Sequence, residues 1–195
     1  MLNQREPRSP VRIISAIVAV VTLFVLAVLF VVAFTIDGEW DVEESVYVEV
    51  PSNKIVPLVN SVIAWERWSV WNQVDMPGLE REFKGPAEGV GSTVVWDRGL
   101  ISGVTRISNI AQDQQIAFSI SFDQRLEFAE GRIVLRYADG GTEIFMRIRG
   151  NTGTDPFAKL AVMWYHDDLE REVVQSLNRL RDKLNSSFAV PTPSR

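Results

Sequence analysis

A histidine stands beside two carboxylates at His166-Asp167-Asp168, and no other histidine occurs in the chain. A histidine held by an acid can take up a proton near pH 7, which suits cyclisation or dehydration. Adjacent residues of a helix point about 100° apart, so Asp167 is not expected to face the same way as His166. The partner one turn further on is Glu170, and the pair His166/Glu170 is the candidate catalytic set. The alternative interpretation of the pair is a solvated helix face.

Aromatic side chains form a second candidate set. Six tryptophans occur in the chain, and aromatic faces that line a cavity can hold a lipid tail or a ring system. The alternative is that these rings are ordinary core residues. The predicted ligand-binding residues are Trp68, Trp96, Trp164, Tyr137 and Met146.

The sequence excludes several kinds of site. With no cysteine there is no disulfide, thiol nucleophile or cysteine–metal site, and one histidine cannot form a histidine-rich metal cluster. Gly89-Val90-Gly91 precedes a strand and no lysine follows, so the segment is a turn and not a phosphate loop. No metal and no cofactor are therefore expected.

The elements that position these residues begin with an apolar stretch at residues 13–36, which has no charge and no proline. At about 1.5 Å per residue, a helix of this length can span a hydrocarbon core of roughly 30 Å. Arg5, Arg8 and Arg12 precede it and acidic residues follow it, so the N-terminus is predicted inside, with the C-terminal part extracytoplasmic. We expect a single-pass protein of the cytoplasmic (inner) membrane. A cleaved signal peptide is the alternative.

The predicted organisation is a cytoplasmic tail (1–12), a transmembrane helix (13–36), a linker (37–43), one domain (44–185) and a disordered tail (186–195). Residues 1–36 hold three of the 20 basic and one of the 25 acidic residues, which leaves a net charge of −7 on residues 37–195. An acidic surface of this kind is a poor partner for nucleic acid or anionic headgroups. No nucleic-acid partner is expected.

Within the domain, residues 44–50 alternate as a strand, and a proline-interrupted helical pair follows. Six further antiparallel strands are predicted, the last two joined by a turn at Asp139-Gly140. A long helix opens at Asp155-Pro156. Its predicted apolar stripe comprises Ala161, Trp164, Leu169, Val173, Leu177, Leu180 and Leu184.

This order of elements resembles the SRPBCC superfamily, also called START-like or helix-grip proteins, and within it the polyketide cyclase/dehydrase-like branch. Three passages carry the resemblance: residues 48–51 followed by the tryptophan cluster 65–71, the glycine passage 85–92 followed by Val95-Trp96, and residues 138–143. The resemblance covers roughly residues 40–185. It implies an α+β fold in which a curved antiparallel sheet wraps around a long C-terminal helix, with a deep apolar cavity between them.

The resulting hypothesis is a membrane-anchored START-like domain that binds a hydrophobic small molecule or lipid in an internal cavity, with the membrane as a partner through residues 13–36. Two alternatives remain open at this point. One is a polyketide cyclase/dehydratase-like enzyme, and the other is a non-catalytic protein-interaction module. A polar group directed into the cavity would favour the enzyme, and a filled interior would favour the interaction module.

Overall fold

The structure is a computed structural model of the 195-residue chain, and it describes residues 10–35, 37–99, 101–112, 114–122 and 127–188. The predictions for residues 1–9 and 189–195 lie outside the described residues. The chain divides into two compact units. One comprises residues 1–38 with Thr152–Met163, and the other comprises Glu39–Asn151 with Trp164–Arg195.

The first unit contains the helix α1, Pro10–Thr35. Its residues Pro10–Val32 are long and apolar enough to cross a membrane, a property that a signal sequence near the N-terminus shares. Thr152 joins the two segments of this unit, because its backbone N–H donates to the Gly38 carbonyl over 2.9 Å. Asp155 then caps the next helix, because its Oδ1 accepts from the N–H groups of Phe157 (2.9 Å) and Ala158 (3.2 Å).

The second unit contains a seven-stranded antiparallel sheet in the order β1-β7-β6-β5-β4-β3-β2. Its strands are β1 (Glu39–Val48), β2 (Glu80–Lys84), β3 (Thr93–Asp97), β4 (Ser102–Ala111), β5 (Gln115–Phe122), β6 (Glu127–Ala138) and β7 (Gly141–Asn151). Two short helices, α2 (Ser52–Val59) and α3 (Val62–Trp65), join β1 to β2. The long helix α4 (Pro156–Phe188) follows β7.

Local sequence explains the β6–β7 connection. Asp139 and Gly140 have φ values of +43° and +87°, the paired positive values of a two-residue hairpin turn that matches the twist of its strands. The predicted helical pair is present as two short helices, but the break between them falls at Asn60-Ser61, and Pro57 lies inside α2. β1, however, begins at Glu39, so most of the segment 37–43 that was predicted as linker is strand. Its acids alternate with Trp40 and Val42, and the alternation continues the strand toward the N-terminus.

One face of the sheet, here called the inner face, carries the core. Ile107, Phe118, Ile133 and Ile144 on this face are 0–2% exposed. The buried residues of α4 that join the same cluster are Val173, Leu177, Leu180 and Leu184. The predicted stripe is therefore confirmed from its middle to its C-terminal end. Ala161 and Trp164 at its N-terminal end differ, because both are exposed, Trp164 at 81%.

The opposite, outer face is charged, and two of its arginines form ion pairs. Arg147 binds Asp41 across β1 and β7, and Arg149 contacts Glu130 at 2.9 Å. The hydrogen bond from Arg147 holds the pKa of Asp41 below its usual value. These contacts make the outer face a solvated, ion-paired surface, as the alternation along β6 and β7 predicts.

Candidate functional site

A group of four apolar side chains on the inner face of β3 and β5 is only half-buried. The group, here called the open patch, consists of Val94, Trp96, Ile120 and Phe122. All four sit around β4, since Trp96 and Phe122 both pair with Gly103 while Val94 and Ile120 both pair with Thr105. The arrangement places apolar surface at a position where the intervening strand contributes a glycine and a threonine.

The absence of a side chain at Gly103 lets the Trp96 ring lie directly on the strand. A Cβ at Gly103 would stand 2.3 Å from Trp96 Cζ2, so any larger residue would displace the ring. Trp96 also meets Phe122 edge to face with ring centroids 5.4 Å apart, and its Nε1 donates to Thr105 Oγ1 over 3.3 Å. The ring is thus fixed from three sides and still only half-buried.

The same arrangement, an aromatic ring over a glycine, occurs a second time in the sheet, and there another aromatic ring covers it. Phe118 on β5 lies over Gly131 on β6, and a Cβ there would be 1.9 Å from the phenyl ring. Trp65 of α3 packs edge-on against Phe118 at 5.0 Å, which leaves Phe118 2% exposed. Trp96, by contrast, is only half-buried. The open patch therefore contains an aromatic-on-glycine pair that is held in position and only half-buried.

A buried arginine lies beside the patch. Arg81 on β2 is the cross-strand neighbour of Trp96, and its side chain is 8% exposed. Its guanidinium binds both carboxylate oxygens of Glu66, and Nη1 donates to the Trp71 carbonyl over 3.4 Å. Burial lowers the pKa of Arg81. The pair ties the segment after α3 to the edge of the sheet.

Trp71 continues this connection to α4. Its Nε1 donates to Glu172 Oε2 over 2.7 Å, and the Tyr165 hydroxyl donates to the same oxygen over 2.5 Å. Burial, together with the Glu172 carboxylate, raises the pKa of Tyr165 above its usual value. Tyr165 therefore remains a neutral hydrogen-bond donor at physiological pH. These hydrogen-bonded residues form a polar border that fixes the loop preceding β2. They are Glu66, Arg81, Trp71, Glu172 and Tyr165.

Two more hydrogen-bonded contacts attach that loop to α4. The Val70 N–H donates to the buried Ser176 hydroxyl over 3.1 Å. Asp75 accepts from Arg179 Nη2 over 2.7 Å, and this contact holds the pKa of Asp75 below its usual value. These contacts hold the loop preceding β2 against α4.

The predicted ligand-binding residues occupy three different environments. Trp68 and Met146 are each 1% exposed and belong to the core, where they fill space. Tyr137 and Trp164 are 84% and 81% exposed and lie at the surface. Among the five, Trp96 is the one placed in the open patch.

The predicted catalytic pair lies elsewhere on α4. His166 Nε2 is 3.3 Å from the Asp41 carbonyl of β1, and Nδ1 is 3.8 Å from Asp167 Oδ1. His166 is 37% exposed and Asp167 94%, so the two side chains point in different directions, although the flexible Asp167 carboxylate approaches the ring. Donor atoms of His166, Asp167 and Glu170 lie within 4.8 Å of one another. Asp167 is 94% exposed, so this set belongs to a solvated surface.

A surface groove of about 480 Å³ adjoins that set. It is lined by Asp167, Glu170, Arg171, Val174 and Gln175, all on α4. The buried stripe of the helix, at Val173 and Leu177, is made of other side chains. The groove is thus lined mainly by charged and polar residues of α4 and is separate from the open patch.

Comparison with known proteins identifies the architecture. No protein-family model matches the chain, and no curated protein matches it. Among solved structures, Ara h 8.0201, a Bet v 1-like SRPBCC protein, is similar over 76% of this chain and 99% of its own, with 18% identity and a TM-score of 0.55. The fold is the helix-grip (START-like) fold. The expected α+β architecture, a curved antiparallel sheet with a long C-terminal helix, is confirmed.

Two further structures share the helix-grip fold. Protein Ms6760 from Mycobacterium smegmatis is similar over 76% of this chain and 92% of its own, with 12% identity and a TM-score of 0.53. DynU16, a protein of the dynemicin biosynthetic locus, is similar over 75% of this chain and 48% of its own, with 15% identity and a TM-score of 0.51. At these identities the similarity establishes the fold, and the argument for function rests on the residues of this chain.

Sequence reasoning missed most of the open patch. Val94, Ile120 and Phe122 alternate along ordinary strands and look like core residues. A signal was present in Gly103, a glycine near the start of a strand pattern, because a glycine within a strand often marks a close approach of another group. Arg81 carried no signal, since its burial depends on Glu66 from a different element.

Proposed function

We propose that the protein is a membrane-anchored helix-grip domain that binds a hydrophobic small molecule or lipid at the open patch. The observation that carries the proposal is the half-buried Trp96 ring, fixed on Gly103 and against Phe122, whereas Phe118, which lies over Gly131 in the same way, is fully buried. An aromatic wall that is rigid before binding loses little conformational entropy when a ligand covers it.

The binding energy in this mechanism comes from apolar surface. Each Å² of apolar area removed from water contributes about 25 cal/mol, so a ligand that covers the patch is held by contact area and shape. The Glu66–Arg81 pair and the Trp71–Glu172–Tyr165 hydrogen bonds keep the border of the patch in place. The proposal assigns no catalytic role to His166 or Glu170.

The anchor is the second part of the proposal. α1 would cross the cytoplasmic membrane once, with Arg5, Arg8 and Arg12 inside and the acidic C-terminal domain outside. A chain without cysteine is suited to a direct test. A single cysteine introduced at the exposed Val74 should react with a membrane-impermeant maleimide in intact cells, and reaction only after lysis would reverse the orientation.

The ligand site is tested by photolabelling of the full chain in lipid vesicles. An alkyl-diazirine fatty acid serves as the probe, and adducts are mapped by peptide mass spectrometry. We expect saturable labelling of peptides from β3 and β5 that unlabelled fatty acid competes away. Trp96→Ala should reduce that labelling at least about fivefold, the effect of roughly 1 kcal/mol of lost contact.

The matched control is Val90→Ala, which trims an exposed apolar residue in the turn before β3. Labelling of β3 and β5 should not change in this variant. Adducts confined to α1 peptides, or equal labelling of Trp96→Ala and the unaltered chain, would refute the proposed site.

A further inference from the structure

The first turns of α4 expose an apolar surface. In residues 157–163 the exposed side chains are Phe157, Ala161 and Met163, at 66% and 56% for the phenylalanine and methionine. Lys159 is the charged residue of this stretch, and it is 7% exposed. What residues 157–163 present to solvent is therefore apolar on every side, which is unusual for a helix at a protein–water surface.

Hydrogen bonds fix the start of this helix next to the end of α1. The Thr152 N–H donates to the Gly38 carbonyl over 2.9 Å, and the Thr152 hydroxyl adds a second contact to the same oxygen at 3.3 Å. Gly38 follows α1 by three residues. Asp155, which caps α4, follows Thr152 by three residues. The apolar stretch therefore begins five residues after Thr152, which is hydrogen-bonded to Gly38 just beyond the end of α1.

Side-chain chemistry indicates what covers this surface. Aromatic and apolar residues gather where a protein meets the boundary between headgroups and acyl chains, and Phe157 and Met163 are of this kind. The same helix continues directly into Trp164, which is 81% exposed. The acidic residues nearest to the stretch in sequence are Asp155 before it and Asp167 after it, so the stretch carries no negative charge of its own.

We infer that residues 157–163 form a second membrane contact, in which the start of α4 lies in the interfacial layer of the bilayer that α1 spans. The occupant of this surface is lipid, and the attraction is apolar burial. The net charge of −7 on residues 37–195 gives no electrostatic attraction to anionic headgroups, so binding does not depend on anionic lipid. The inference rests on the proposed anchor and is independent of the proposed ligand site.

The test uses the full chain in phosphatidylcholine vesicles. Since the chain has no cysteine, a single NBD label can be placed by Ala161→Cys on the apolar stretch, by Val74→Cys on an exposed loop as the matched control, and by Val21→Cys within α1. Lipids with a nitroxide near the headgroup should quench the label at residue 161 at least threefold more than the label at residue 74. Emission at residue 161 should also be blue-shifted by about 10 nm or more relative to residue 74.

The variant Phe157→Asp/Met163→Asp should remove most of the quenching at residue 161, and Val74→Asp in the same labelled chain should leave it unchanged. Replacing a third of the phosphatidylcholine by phosphatidylglycerol should not increase the quenching. Equal quenching at residues 161 and 74 overturns the inference. A blue-shifted label at residue 161 that lipid nitroxides do not quench also overturns it, because a protein then covers the surface.

The label within α1 separates the two proposals. Deep nitroxide quenching at residue 21 without quenching at residue 161 leaves the anchor standing and rejects the second contact. Absence of quenching at both positions rejects both.

Discussion

Three tryptophan-to-alanine substitutions should reduce stability in the order Trp68, Trp96, Trp164. Trp68 is 1% exposed, its Nε1 donates to the Leu58 carbonyl over 2.8 Å, and its ring is 6.0 Å from that of Trp65. Removing a fully buried aromatic side chain costs about 3–5 kcal/mol. For a domain of this size, each kcal/mol shifts Tm by about 2–4 °C, so Trp68→Ala should lower Tm by about 10 °C.

Trp96 should cost much less. Its removal loses one edge-to-face ring pair and one long hydrogen bond, about 1–2 kcal/mol together, in addition to the contact of the half-buried ring with Gly103. Because part of the ring is already exposed, the fall in Tm should stay clearly below that of Trp68→Ala. Trp164, 81% exposed, should change stability by less than about 0.5 kcal/mol.

The assay is thermal unfolding of the full chain in detergent, followed by near-ultraviolet circular dichroism, with photolabelling of each variant below its Tm. Trp96→Ala should lose labelling while it remains folded, and Trp164→Ala should keep both properties. If Trp96→Ala and Trp68→Ala lower Tm equally, Trp96 is a core residue and the proposed site is wrong.

Three more predictions concern packing and pH. Gly131→Ala should destabilise the domain by about 1–3 kcal/mol in denaturant unfolding, because its Cβ would enter the buried Phe118 ring; wild-type stability would contradict the close approach. Met146→Ala should cost about 2–5 kcal/mol without loss of photolabelling below its Tm, since Met146 is core; selective loss of labelling would place it in the site. The Asp75 carboxyl has a lowered pKa through Arg179, so its contribution to stability is present above pH 4 and is lost as pH falls through the folded pKa. The Tm of Asp75→Asn should therefore fall less steeply below pH 4 than the Tm of the wild type. Parallel curves of Tm against pH would show that the Asp75–Arg179 contact does not contribute to stability.

Local patterns predicted most of the fold because each was reinforced by a specific residue. The Asp139-Gly140 turn requires two positive φ values, and the sequence places there residues that tolerate them. The cap at Asp155 and the stripe from Val173 to Leu184 likewise follow from one-dimensional signals. The start of β1 was missed because a run of acids resembles a linker, although the acids alternate with apolar residues.

The site was less accessible to sequence reasoning for a physical reason. Periodicity assigns a side chain to a face, but it does not say how far the opposing surface extends. Trp164 and Tyr137 lie on predicted apolar faces beyond the point where packing stops, and both are exposed. Whether Trp96 is half-open or buried depends on what covers it, and that depends on contacts between elements distant in sequence.

Native mass spectrometry of the full chain, released from detergent micelles after purification from its own membrane, tests the central claim most directly. The account predicts a reproducible extra mass of an apolar compound, lost on denaturation and strongly reduced in Trp96→Ala but not in Val90→Ala. A chain of uncomplexed mass that also takes up no apolar compound on titration would contradict it and would favour a role in protein interaction.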